Sequence, residues 1–184
     1  MSYLTQVKVL NVMNVDGQIS IAQVDSAWVI RLEGDLRADR GAGLLQAVHE
    51  ITAEIEPQSQ VVVDFDGVRL MDSTILGHLA KLAVLMRDSI NKKPVFVNPS
   101  NDIRHVLSNM GFEMIADLES VDSSFLIPSS TSLNAIVDLP ETNQQGLQRV
   151  LAAHQLLASL NEDNRVKFKD VIEHLKKAEK EWSP

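Results

Sequence analysis

The sequence predicts an α/β fold: a small mixed β-sheet of four to five strands with packed α-helices, plus a C-terminal helical hairpin. Three observations carry that reading. Between Gln18 and Leu118 the apolar period switches repeatedly between two and about 3.6 residues, as alternating strands and helices require. Val61-Val62-Val63-Asp64-Phe65 is β-branched and nearly continuously apolar, the pattern of a central strand covered on both faces. From Pro140 onward the helical period alone remains.

The elements follow in order. Ile19 to Val24 alternates, Asp25-Ser26 supplies turn residues, and Ala27 to Leu32 resumes the alternation, which predicts a β-hairpin ending near Gly34. From Asp39, Leu44, Leu45, Val48, Ile51 and Ile55 recur three and four apart, forming one helical stripe that Pro57 stops. After the Val61 strand, a helix runs from about Thr74 to Ile90, with Leu76, Leu79, Ala80, Ala83 and Met86 inward and Lys81, Arg87 and Asp88 outward. Asn91-Lys92-Lys93-Pro94 ends it. Val95-Phe96-Val97 is a strand, Asn98-Pro99-Ser100 a turn with an N-cap, and Ile103, Val106, Leu107 and Met110 the face of a short helix closed by Gly111. The order β-β-α-β-α-β-α with right-handed crossovers predicts one domain.

The chain divides into an N-terminal segment (1–17), the α/β domain (18–118), a serine-rich connector (119–139) interrupted by Phe125-Leu126-Ile127, and a helical extension (140–184). In the extension, Leu147, Val150, Leu151, His154, Leu157 and Leu160 form one stripe. Phe168, Val171, Ile172, Leu175, Ala178 and Trp182 form another, with Asn161-Glu162-Asp163-Asn164 between them. Neither helix can hide its stripe alone, so the two pack as an αα-hairpin on the domain or on another subunit. Leu147, Leu151, Leu157, Val171, Leu175 and Trp182 would form the seam of a homodimer. Covering the chain's own domain is the equal alternative.

Charge and composition exclude several classes. Seventeen Lys+Arg against 25 Asp+Glu give a net charge of −8, which argues against nucleic acid or an anionic membrane as partner. No cysteine is present, so disulfides, thiolate metal sites and cysteine nucleophiles are ruled out. The start lacks a basic segment followed by an apolar run, and no stretch of 18 apolar residues occurs, so a cytoplasmic protein without membrane insertion is expected.

A search for catalytic chemistry returns little, and no enzyme activity, metal or cofactor is expected. His49, His78, His105, His154 and His174 include no pair four apart. Gly41-Ala42-Gly43 lacks the third glycine of a dinucleotide loop and reads as a loosened helix start. The serine at a strand-to-helix turn has no histidine near it in sequence to act as a base. Asp64 and Asp66 alternate onto one face, where solvated strand-end carboxylates outweigh a phosphoacceptor cluster. More informative is Met71-Asp72-Ser73-Thr74, which puts hydroxyls at a helix start, where free N–H groups and the dipole tolerate a phosphate. Asp72 would repel that dianion and change what binds; the plainer reading makes all three simple N-cap residues.

Val29 to Leu36, Val61 to Val68, the Met71-Asp72-Ser73-Thr74 turn, Val95 to Ser100 and Val106 to Phe112 together resemble the STAS domains, the family of sulfate-transporter and anti-sigma-factor-antagonist domains. The resemblance implies a non-enzymatic regulatory module of bacterial partner switching. Its partner would be an anti-sigma factor or serine-protein kinase, and Ser73 or Thr74 would be the phosphoacceptor beside Asp72. The helix start and its loop would carry the interface through Asp35, Asp66, Asp72, Ser73, Thr74 and two exposed positions, His78 and Lys81. Ile75 departs from the family's glycine, and a stiff β-branched residue there is expected to obstruct a kinase. The alternative is an accessory subunit or scaffold of a transport (lipid or ABC) or signalling assembly, without phosphorylation.

Overall fold

A computed structural model of the chain describes residues 17–121, 132–137 and 140–181. The predicted hairpin is present: β1 (Gln18–Val24) and β2 (Ala27–Leu36) pair antiparallel, Gln18 opposite Glu33 and Val24 opposite Ala27. Asp25 allows the tight turn by adopting φ 53°, a left-handed conformation that a short polar side chain tolerates. Parallel pairing then links β2 to β3 (Gln60–Asp64), β3 to β5 (Val95–Val97) and β5 to β6 (Asp117–Glu119). β4 (Val68–Met71) runs parallel to the far end of β2, and β7 (Asn134–Ala135) antiparallel to β1. The order is β6-β5-β3-β2-β1-β7 with β4 beside β2, seven strands among the described residues where the sequence pattern suggested four to five.

Register explains the core. Ile21, Ile30, Val63, Phe96 and Leu118 are successive partners across five strands, so one sheet face presents a continuous apolar row. Helices α1 (Gly41–Glu54), α2 (Ser73–Ile90) and α3 (Asn101–Asn109) contribute Leu44, Ile51, Ile75, Leu79, Leu82 and Leu107 to the same cluster. Phe96 sits between Phe65 and Phe112, with ring centroids 5.1 and 5.6 Å away. Fully burying one such side chain contributes roughly 1.5–3 kcal/mol. β3 departs from expectation in one respect: Val61 and Val63 are buried but Val62 is only half-buried, so one face is sealed and the other partly open.

The helix ends follow local chemistry. α2 stops where Asn91 turns left-handed at φ 54°, and α3 is capped by the Ser100 hydroxyl, which accepts from the Ile103 N–H at 3.3 Å. Gly111, at φ 80°, closes α3 as expected.

The C-terminal hairpin consists of α4 (Asn143–Leu160) and α5 (Glu162–Glu181), the first opened by a Thr142–Gln145 capping box. The break between them is one extended residue, Asn161, not the four predicted, and its side chain accepts from the Asn164 N–H at 2.8 Å. Asn164 is fully buried inside α5 and donates through Nδ2 to the carbonyls of Met110 (2.9 Å) and Leu157 (3.0 Å). α4 packs on α2, and α5 packs on α4, so the extension covers its own domain. Leu151 and Leu157 are buried inside the chain and cannot serve an intersubunit seam, whereas Val171 stays exposed. Trp182 and Phe125-Leu126-Ile127 lie outside the described residues; part of the expected connector, Asn134 and Ala135, joins the sheet.

Asn164 tests how the extension is fastened. Asn164→Ala deprives two carbonyls of their donor, which should lower stability by roughly 1–3 kcal/mol. Urea unfolding should show it as a lower midpoint at unchanged slope, while Val166→Ala on the exposed face stays within about 0.5 kcal/mol of the parent.

Candidate functional site

The site grows from the C-terminal ends of β2, β3 and β4. Val68 N–H donates to the Phe65 carbonyl at 3.0 Å across a turn in which Gly67 has φ 92°, the third-position conformation that favours glycine. Asp66 stands exposed on that turn. Asp64 is not the solvated carboxylate its position suggested. It is fully buried, pairs with the Arg31 guanidinium at 3.2 Å and accepts from the Asp66 N–H at 3.1 Å. Shielded from water, Asp64 takes its compensating charge from Arg31, its cross-strand partner. Asp35, one strand over, pairs with Arg69 at 3.0 Å.

β4 delivers the chain directly into α2. Asp72 takes extended backbone, donates its N–H to the Leu36 carbonyl at 3.0 Å, and accepts from the N–H groups of Thr74 (2.9 Å) and Ile75 (3.0 Å) through one oxygen. It is therefore an N-cap in full. Ser73 follows half-buried at the first helical position, while Thr74 is buried and Ile75 is wholly inside the core. Ile75 thus does not lie on the exposed surface of the turn, where its bulk was expected to obstruct. Its side chain points toward the sheet, not out of the turn.

What covers this turn is α4. Ser73 Oγ lies 2.8 Å from His154 Nε2, and His154 Nδ1 lies 2.8 Å from the Val150 carbonyl. A carbonyl only accepts, so Nδ1 carries the proton; in the neutral ring Nε2 is then bare and the Ser73 hydroxyl donates to it. The base that sequence proximity did not offer thus arrives from 81 residues away. The imidazole is oriented by the Val150 carbonyl and is buried edge-on against Phe168 at 5.4 Å. The arrangement holds the Ser73 hydroxyl against α4.

One turn further on, α2 and α4 touch. A Cβ on Gly77 would stand 2.5 Å from Ala153 Cβ and 2.7 Å from its backbone, so only glycine fits the crossing. His78, expected to be exposed, is buried, and its Nε2 accepts from Arg149 Nη1 at 3.5 Å. Arg149 is simultaneously engaged by Glu141. The tight start of α1 belongs to the same cluster, since a Cβ on Gly41 would overlap the Arg149 guanidinium. Lys81 does not point freely outward either; it lines a groove of about 490 Å³ between α1, α2 and α4, with His49, Leu45 and Leu156. These misplacements share one cause: the face of α2 away from the sheet is occupied by α4. Among the described residues no group of three His, Asp or Glu side chains could hold a metal ion.

Burial, with the Arg149 charge second, lowers the His78 pKa from 6.5 to about 4, against a smaller opposing pull from Glu141 and a further lowering by His49. Between those pH values the unfolded chain binds the extra proton, so stability should fall as pH drops from about 6.5 to about 4 and level off below. The Arg149 hydrogen bond holds the Glu141 carboxyl below its usual range, so its contribution is lost only at lower pH. Thermal melts at pH 7 and pH 4.5 check this: His78→Gln should flatten the slope between them, and an equally steep slope in that variant would refute the assignment.

Comparison with known proteins bears on the α/β part of the chain. The family model described as "Mlab, STAS domain" matches residues 19–118, more than half of the chain. The chain is also similar to two solved structures of SpoIIAA. One, the Bacillus cell fate determinant in phosphorylated form, has 16% identity and TM-score 0.49, covering 58% of this chain and 94% of that one. The other, the anti-sigma factor antagonist SpoIIAA in unphosphorylated form, has 18% identity and TM-score 0.47, covering 58% and 90%. No curated protein matches the sequence. With β2 through β5 and the Asp72-capped α2 inside the matched segment, and β1 and β6 at its two ends, the chain belongs to the STAS domain family.

Proposed function

We propose that this chain is a non-enzymatic regulatory module that binds a protein partner at the C-terminal edge of its sheet and the start of α2. The partner class that fits best is an anti-sigma factor or serine-protein kinase of a bacterial partner-switching system. Residues 18–118 act as the binding module, 119–139 as connector and 140–184 as a helical addition. The observation that carries the reading is the Ser73 hydroxyl, held directly behind the Asp72 cap at the positive end of an 18-residue helix. Asp35, paired with Arg69, and the exposed Asp66 stand at the same strand ends and give that edge a mixed-charge rim for a partner surface of complementary pattern. The module works in the cytoplasm on this reading; among the described residues no helix is long and apolar enough to cross a membrane.

In the switch, a kinase transfers the γ-phosphoryl group of ATP to Ser73 Oγ. The bond to the β-phosphate oxygen breaks, ADP leaves, and the hydroxyl proton passes to a base. The positive end of the α2 dipole favours the new dianion, while Asp72, which already holds the Thr74 and Ile75 N–H groups, repels it and shifts which surface binds. Ser73 is preferred to Thr74, because Thr74 is buried.

A second reading is favoured by one feature, the hydrogen bond that already engages Ser73 with His154. A hydroxyl so committed suits a constitutive accessory subunit or scaffold of a transport or signalling assembly, which needs no phosphate.

Incubation with a cognate anti-sigma kinase and ATP, read by intact mass, separates the two. One added phosphate on the parent chain, retained in Thr74→Val and absent in Ser73→Ala, supports the switch. A kinase that binds while the mass stays unchanged supports the constitutive role.

A further inference from the structure

We propose that α4 is a built-in cap on the partner-facing side of α2, and that its stretch from Asn143 to His154 must lift before Ser73, His78 and Lys81 can meet another protein. This rests on the reading that the start of α2 is the binding face, and it deepens that reading by placing an intramolecular competitor there.

Three observations carry it. First, the capped surface leaves no room for a second chain: Ala153 lies against the Gly77 backbone, and His154 occupies the Ser73 hydroxyl at 2.8 Å. A phosphoryl group on Ser73 would have to take the place of a buried imidazole, so the modified and docked states exclude each other. Second, the seam nearest Ser73 is polar and self-satisfied, made of Ser73–His154, Arg149–His78 and Arg149–Glu141. Water can re-satisfy each of these groups when the seam opens, so the net loss per bond is small compared with exposing an apolar seam. Third, the hold on α4 is uneven. Its C-terminal end is fixed by Leu157 in the core, by Asn164 on the Met110 carbonyl and by Phe168. Along its middle, Leu151 and Ala153 pack inward while one flank borders the groove of about 490 Å³ lined by Leu45, His49, Lys81, Ala152 and Leu156. A helix anchored at one end and bridging a groove along its flank opens locally without global unfolding.

The absence of cysteine makes the cap directly measurable. Ser73→Cys places a single thiol under α4, and Ser89→Cys places one on the exposed side of the same helix as a control. Iodoacetamide should alkylate position 73 at least about tenfold more slowly than position 89 in the otherwise native chain. Adding Ala153→Leu, which cannot fit against Gly77, should raise the rate at 73 by about tenfold or more and leave that at 89 unchanged. Arg149→Ala gives a milder release should Ala153→Leu fail to fold, as judged by a cooperative thermal melt. Equal rates at 73 and 89 in the native chain, or no gain at 73 in a folded release variant, would overturn the cap. Binding of a cognate kinase separates this from the functional reading. A kinase that binds the released variant at least about tenfold more tightly than the native chain supports both. Equal tight binding to both chains refutes the cap alone, and failure to bind either refutes the functional reading while the alkylation result still decides the cap.

Discussion

One constraint organises the molecule: α2 must be covered on two sides. Seven consecutive residues, Thr74 to Ala80, are buried, and Leu82, Ala83 and Met86 continue the pattern. A helix laid on a sheet hides one stripe and leaves the rest to water, so a helix buried around its circumference needs a second partner. The sheet takes Ile75, Leu79 and Leu82. Gly77 and His78 meet α4 instead. The extension is thus part of how the domain hides its central helix, although it lies outside the segment that the family model matches.

The same constraint dictates residue choice along the seam. Close approach of α2 and α4 demands small residues at the crossing, which Gly77 and Ala153 provide, and it brings polar neighbours under cover where each must find a partner. Arg149 serves two at once, donating to His78 and engaging Glu141, and Gly41 leaves space for its guanidinium at the start of α1. His154 is satisfied on both ring nitrogens. The seam thus holds two polar sets, Ser73–His154 at the N-terminus of α2 and His78–Arg149–Glu141 beside the N-terminus of α1, both drawing on α4.

Much of this was legible in the residues, and the failures have definite causes. The hairpin, the three domain helices and the caps at Ser100 and Asn91 follow from local spacing and turn chemistry, which operate over a few residues. β4 escaped because Val68 to Met71 reads buried, exposed, exposed, buried, with no alternation to detect, and β7 is only two residues long. Asp72 as a cap needed only its neighbours. The Ser73–His154 contact spans 81 positions and left one faint trace, a histidine inside the apolar stripe of α4. Placing His78 and Lys81 outward treated the far side of α2 as solvent. Gly77 in an otherwise apolar helix was the available warning, since a glycine there marks close approach of another backbone.

Coverage and recognition then become one equilibrium. Any partner that uses the start of α2 draws on residues α4 already holds, so its apparent affinity is reduced by the fraction of chains in which α4 is docked. Each 1.4 kcal/mol of docking free energy weakens that partner by about tenfold. Asp35, paired with Arg69, and Asp66 lie at strand ends, apart from the contacts that α4 makes, so on the proposed reading that edge serves first encounter whether or not the cap is closed. Charge on the edge would then set how fast a partner arrives, and the polar seam how tightly it settles. A substitution at Asp66 should therefore act on association, and one at Ala153 on the final affinity, because the two residues belong to different steps of the same encounter.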